Sequence, residues 1–156
     1  MEKVPFRALH GLQIQMSVAQ EISHLTLSAS KWAEYEGGPA YTGVEEGCPY
    51  VCAGILESWH GRWLAWAAIS HNAGPREMLW IHRQTRKFLV DLQALDSERY
   101  RRIEATARVD EPEAQRWLEM LGFVKEGRLR CYDASGLDHF QYARIPCHLI
   151  QDPQRQ

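Results

Sequence analysis

Several absences narrow what this chain can be. No apolar run approaches the roughly 20 residues that a membrane helix needs. The opening MEKVPFRALHG lacks the apolar core of a secretory leader, so a soluble protein of the cytoplasm with no membrane partner is expected. Only four cysteines occur, Cys48, Cys52, Cys131 and Cys147, and none has the paired CxxC spacing of a zinc site. They are also too sparse for a disulfide scaffold and read as reduced thiols, with no metal expected. Charge of one sign is missing too: 18 Lys+Arg stand against 20 Asp+Glu, a net charge of −2. Such a balance gives no global field toward nucleic acid or an anionic membrane. The basic residues Arg83, Arg86, Lys87, Arg99, Arg101 and Arg102 therefore read as a solvated face rather than a nucleic-acid surface. No repeat, low-complexity tract or linker interrupts the sequence, so residues 1–150 are expected to form one domain and 151–156 a short polar tail.

What is present is an alternation of strand and helix signals around enough apolar residue, 45% of 156, for one sizeable core. Ser17 to Glu36 holds neither Gly nor Pro and spaces Val18, Ile22, Leu25 and Trp32 loosely as a helix would, predicting one helix or two short ones stopped by Gly37-Gly38-Pro39. Strand-like segments at about 40–44, 49–57 and 62–70 are broken at Glu45-Glu46-Gly47 and His60-Gly61, which predicts an antiparallel meander. The third is apolar almost throughout, from Trp63 to Ile69, as expected of a central strand covered on both faces.

Beyond Ser70, residues Asn72, Gly74 and Pro75 suit a cap and a first helical position. Met78, Ile81, His82, Thr85, Phe88, Leu89, Leu92 and Leu95 then recur at helical spacing. Strict alternation follows, with Ile103, Ala105, Ala107 and Val109 on one side and Glu104, Thr106 and Arg108 on the other. A long helix between two strands predicts a βαβ unit with the strands parallel. Pro112 opens a short helix that Gly122 ends, and two strands joined by a turn at Asp133 to Gly136 close the domain. The class is α/β (α+β), with a mixed sheet.

With these elements in order, the stretch from Ile103 to Ile145 resembles the C-terminal half of the GNAT (GCN5-related N-acetyltransferase) superfamily. The resemblance rests on a strand, a helix containing Ala114 and ending in Leu121-Gly122-Phe123, the Glu126-Gly127 step, and a hairpin closing on Tyr142-Ala143-Arg144. Element order extends it over most of the chain. GPAYTGV, RWLEMLGF and YARI are further similar to short GNAT-like proteins encoded by tailed bacteriophages. The resemblance implies a mostly antiparallel mixed sheet with helices on both faces, acetyl-CoA as co-substrate, and a small-molecule or protein amine as acceptor. Dimerisation through the C-terminal strands is implied as well. The phage likeness implies an alternative, a catalytically silent module binding a phage structural protein during virion assembly, in the host cytoplasm or the virion.

Acetyl transfer needs backbone N–H groups at a helix start for the CoA pyrophosphate, an oxyanion donor, and a route for protons. By resemblance the first is expected at Ile69, Ser70, His71, Asn72, Ala73, Gly74 and Arg76. That loop has a single glycine, and Pro75 removes one N–H; Arg76 offers a charged contact in exchange. The tyrosine that many GNATs use as a general acid falls at Leu118, which has no proton to donate. Trp117 beside it is expected to be core packing, and Asp110-Glu111 stands where an Asn is often seen. Trp63 to Ser70 contains no acidic residue, so Glu104 and His71 remain as candidate catalytic groups. Glu104 reads equally as half of a salt bridge and His71 as a solvent-facing ring. An oxyanion donor at the Ile69 N–H would require a bulge in the central strand.

Overall fold

Alternating apolar residues and turn-forming Gly positions generate the observed sheet. The computed structural model describes residues 1–16, 29–146 and 149. In chain order the elements are β1 (Glu2–Pro5), α1 (Ala8–Gln13), α2 (Ala29–Glu34), a 3-10 turn (Tyr35–Gly37), β2 (Ala40–Glu45), β3 (Cys48–Trp59), β4 (Arg62–Ile69), α3 (Pro75–Leu95), β5 (Arg102–Arg108), α4 (Pro112–Met120), β6 (Val124–Leu129) and β7 (His139–Arg144). The helical segment expected from Ser17 is seen as α2 in its last part; residues 17–28 lie outside the described residues. Glu46 and Gly47 both have positive φ, 52° and 78°, the geometry that suits a two-residue hairpin between twisted strands.

The seven strands lie in the order β1-β2-β3-β4-β5-β7-β6. Neighbours are antiparallel except β4 and β5, which run parallel as the βαβ reading requires. Helices cover both faces. Val51, Tyr41, Ala53 and Ile81 form one cluster under α3, and Ile103, Leu118, Leu121, Phe123 and Tyr142 form another under α4. The opposite face carries α1 and α2 over Phe6, Ile14, Trp32, Cys52 and Ala68. Burial pushes the Cys52 thiol up to about 12, so it is an inert core group.

The last residues of the sequence pattern have structural work that the pattern does not reveal. Gly122 adopts φ 87° where α4 ends, a conformation that favours glycine. Arg144 Nη1 donates to the Leu121 carbonyl at 2.7 Å, placing a cation at the helix C-terminus where the dipole favours it.

β4 is central and packs on both faces as expected, Trp66 and Ala68 against one cluster and Ala65, Ala67 and Ile69 against those on the other, but its burial is incomplete: Ala65, Trp66, Ala67 and Ile69 are half-buried and Leu64 is exposed. The reason is its pairing. β4 meets β5 at only three rungs, Arg62↔Arg102, Trp63↔Ile103 and Leu64↔Glu104, while it stays paired to β3 as far as Ile69. Beyond Leu64 the two strands part, and β4 borders open space instead of a neighbour.

Packing is tight where α1 crosses the sheet. A Cβ at Gly11 would sit 2.2 Å from Trp32 Cδ2, whereas one at Gly37 would meet nothing within 4 Å. Gly11→Ala is therefore expected to cost about 1–3 kcal/mol through overpacking, and Gly37→Ala no more than about 0.5 kcal/mol. Urea midpoints of the two variants, measured side by side, check this.

Candidate active site

The parting of β4 and β5 opens a cleft of about 470 Å³. Small residues from both strands line it, Ala65 and Ala67 from β4 and Ala105 and Ala107 from β5, with Met78 and Phe88 of α3 on one wall and Ala114, Trp117 and Leu118 of α4 on the other. Alanines on the two diverging strands leave a slot suited to a thin extended group, and the lining is mostly apolar as ligand sites usually are.

At the mouth lies the loop from Ser70 into α3. Ile69, Ser70 and His71 line the cleft, but the loop's donors are already engaged. Ser70 N–H donates to the Tyr50 carbonyl at 2.8 Å, His71 N–H to the Gln15 carbonyl at 2.8 Å, and Ala73 N–H to the Ser70 carbonyl at 3.0 Å. Asn72 N–H donates to Ser70 Oγ at 3.2 Å and Gly74 N–H to Glu77 Oε2 at 3.0 Å. Gly74, not Asn72, is the N-cap of α3. Asn72 instead sends its side-chain amide to Gln15 Oε1 at 2.9 Å. Glu77 sets a carboxylate against the positive end of the helix, the place a phosphate would need. Arg76 is the exception: its side chain is 85% exposed and only 3.9 Å from Glu45 Oε1 at its nearest ion-pair contact, which leaves it able to swing to an anion.

His71 Nδ1 lies 2.9 Å from the Gln15 carbonyl. A carbonyl only accepts, so Nδ1 donates to it, and the ring is exposed. The β3–β4 register runs without a shift from Val51↔Ile69 to Glu57↔Trp63, and its irregularity falls between Glu57 and Trp59 at the hairpin end. The bulge that would turn the Ile69 N–H toward a reacting carbonyl is thus not there.

Glu104 is not among the cleft-lining residues. Its position explains why. Arg62 and Arg102 face each other on the first β4–β5 rung, an arrangement of like charges that destabilises a sheet. Glu104, two residues along β5 and buried, accepts from Arg62 Nη2 with one oxygen and from Arg102 Nε with the other. Glu126 of β6 takes the remaining face of Arg102. Burial raises the Glu104 pKa, but the hydrogen bonds from Arg62 and Arg102 outweigh it and hold the carboxyl at about 2. Such a carboxylate is a poor base, and its work is to clamp the strands where they part.

Trp117 packs against the core as expected, and it also lines the cleft, as Leu118 does. The indole Nε1 atoms of Trp117 and of Trp66 are buried without a hydrogen-bond partner, and both residues border the same space. Trp66 is fixed by stacking on Tyr35, with centroids 4.4 Å apart and planes at 12°.

A pair not singled out in the sequence completes the site. His139, buried at the start of β7, lines the cleft and places Nε2 3.2 Å from Asp133 Oδ2. The signal is an Asp six residues ahead of a His across a Ser-Gly turn, and by itself it predicts only the turn.

No protein-family model matches the chain, and no curated protein matches it in sequence. Its structure does have counterparts. Ard1 from Thermoplasma volcanium superposes with a TM-score of 0.71 at 14% identity, over 92% of this chain and 96% of that one. The ribosomal-protein-S18-alanine N-acetyltransferase from Escherichia coli gives 0.64 at 12% identity, over 92% of each. A spermidine N-acetyltransferase chimera from Vibrio cholerae and hSSAT gives 0.51 at 16% identity; 68% of this chain is covered, and it spans only 65% of that protein. At such identities the likeness establishes the fold. The seven-stranded, mostly antiparallel sheet with helices on both faces is the fold of the GNAT acetyltransferases.

The Glu104 clamp makes a pH prediction. Its folded pKa of about 2 lies below the ordinary 4.5, so its contribution is full above roughly pH 4.5 and is lost as pH falls toward 2. Glu104→Gln should cost about 3 kcal/mol at pH 7, the low end for breaking a buried pair, because the arginines keep some access to water. The gap between wild type and variant should close on acidification. Urea titrations at pH 7 and near pH 3 measure it, and an unchanged gap would contradict the clamp.

Proposed function

We propose that this protein is an acyl-CoA-dependent N-acyltransferase that moves an acetyl group from acetyl-CoA to the amine of a small molecule or a protein. The cleft between the diverging β4 and β5 carries the reading: it is narrow, lined by alanines, and closed on two sides by α3 and α4. The co-substrate supplies an activated thioester carbonyl; the chain supplies position and exclusion of water, which account for much of the acceleration in such reactions. The unpartnered indole N–H groups of Trp66 and Trp117 suit the carbonyl oxygens of a thin amide-bearing arm. The nucleotide end is held differently from the pattern of the fold. With the loop N–H groups from Ser70 to Gly74 occupied, Arg76 is the residue that would meet phosphate, as a charge-assisted contact.

A second reading has its own observation. The saturated loop and the carboxylate of Glu77 at the helix start both oppose an anion. Trp59 is 60% exposed, with the Arg62 guanidinium 4.1 Å from its ring centroid, a pairing frequent in protein interfaces. These features suit a silent module that binds a partner, as in phage virion assembly.

Thermal shift separates the two. At about 100 times Kd a ligand of the folded state adds roughly 2.7 kcal/mol, which raises Tm by about 5–11 °C in a domain of this size. Acetyl-CoA and CoA should produce this shift, ATP should not, and Arg76→Ala should shrink it. No shift at millimolar CoA would leave the silent module as the answer. Under the enzyme reading, Glu77→Gln also tightens CoA binding about two- to fivefold by removing a charge worth some 0.3–1 kcal/mol at the helix start; calorimetric titration reads this directly.

A further inference from the structure

A buried histidine in the cleft has one nitrogen anchored and the other unused. His139 sits in β7 opposite Arg108 of β5, and about nineteen-twentieths of its surface is buried. Its partner is held rigidly. Asp133 Oδ1 accepts from Ser135 N–H at 3.0 Å, Ser135 Oγ at 2.7 Å and Leu137 N–H at 2.9 Å, which leaves Oδ2 for the imidazole at 3.2 Å. The Ser135 hydroxyl first, then the Leu137 amide, keep this carboxyl well below the usual carboxylate range against the opposing effect of burial.

An ionised carboxylate can only accept. Nε2 of His139 therefore carries the hydrogen, and in the neutral ring Nδ1 is a bare lone pair. That Nδ1 is buried and has no hydrogen-bond partner. Leaving a buried acceptor unsatisfied is costly, and such groups in a native structure call for an explanation. Among the described residues nothing offers Nδ1 a donor, so the missing donor is expected in what the cleft receives.

The charge of the same cleft narrows the choice. Glu111 and Glu113, at the start of α4, line it. Its arginine, Arg108, is already committed to Asp110 through bonds of 3.0 and 2.8 Å, with Glu111 at 3.9 Å. An unpartnered Nδ1 in a cleft that two carboxylates also line suits a cation with N–H groups.

The geometry points to His139 as the general base of acyl transfer, oriented by Asp133, with a cationic primary amine as the acceptor entering past Glu111 and Glu113. This rests on the acyltransferase reading above. His139 Nδ1 takes one proton from the ammonium and becomes an imidazolium that Asp133 stabilises. The freed nitrogen lone pair forms the C–N bond, the C–S bond of the thioester breaks, and the sulfur departs as thiolate. The nitrogen's second proton goes to that sulfur to give the thiol, and His139 returns its own proton to water. His139 is the catalytic residue; Asp133 is a positioning residue.

The test uses the full chain in two ways. Long-range ¹H–¹⁵N NMR of protein labelled in histidine, with His139→Gln to assign the signal, reads the tautomer and needs no acyl donor. The expected result is Nε2–H with Nδ1 unprotonated, and a shift of Nδ1 on adding 1,4-diaminobutane. An Nδ1–H tautomer, or no response to the diamine, overturns the proposal. Turnover of acetyl-CoA with the same diamine should fall a hundredfold or more in kcat in His139→Gln, in the range for loss of a general base. Asp133→Asn should lower kcat with little change in KM for the amine. Both variants should keep the acetyl-CoA thermal shift of the unaltered chain. A variant His139→Gln that retains kcat within threefold overturns the assignment. Failure of the unaltered chain to bind acetyl-CoA would instead sink the acyltransferase reading, and the NMR result would still decide whether His139 receives an amine.

Discussion

Three rungs of parallel pairing join the two halves of this molecule. β1 to β4 form one antiparallel block and β5, β7 and β6 another, and only Arg62 to Leu64 against Arg102 to Glu104 link them within the sheet. The link begins with two arginines face to face, a repulsive start that Glu104 converts into a clamp by binding both. A buried, doubly bound carboxylate fixes the point at which the strands part. The cleft, its width and the residues that can reach it all follow from where that fork begins. The same interaction explains why Glu104 is not free to do chemistry.

Two ends of the cleft differ in character. One part has small side chains on the strands and two indole N–H groups that lack partners among the described residues. At the outer part every backbone N–H of the Ser70 to Gly74 loop is tied to the chain itself, and Gln15 holds both His71 and the Asn72 side chain. In energetic terms the loop has exchanged anion affinity for rigidity: its amides lose nothing on folding, but a phosphate would have to displace good internal bonds. On the proposed reading, a ligand of this cleft would be gripped by its thin portion more than by its charged one, and the acceptor would enter beside Asp133, His139, Glu111 and Glu113.

How much of this is legible in the sequence depends on the range of the interaction. The hairpin at Glu46-Gly47, the 21-residue helix from Pro75 and the alternating strand from Arg102 to Arg108 announce themselves because turn chemistry and periodicity are local. The parallel pairing of β4 and β5 is readable from the helix between them. Its length is not, because register across a crossover is set by packing far away in sequence. For that reason Trp63 to Ile69 has the pattern of a fully buried strand and yet is half-buried at Ala65, Trp66, Ala67 and Ile69. Glu104 escapes a local reading for the same reason: Arg62 lies 42 residues before it. Asp133 is legible as a turn residue, but its second oxygen acquires meaning only when β7 brings His139 alongside.

The strand order also governs how the chain can assemble. β2 to β4 pair with neighbours that are near in sequence, so an emerging chain can close them by successive hairpins, while β1 pairs with β2 across residues 6–39. β6 pairs with β7 alone, and β7 lies between it and β5. Until residues 139–144 have left the ribosome, β6 has no partner in the sheet and β5 keeps an open edge. The second half of the sheet thus forms in a single late step, when the last strand inserts between two that are already waiting. Of the cleft's lining, His139 arrives only with that strand.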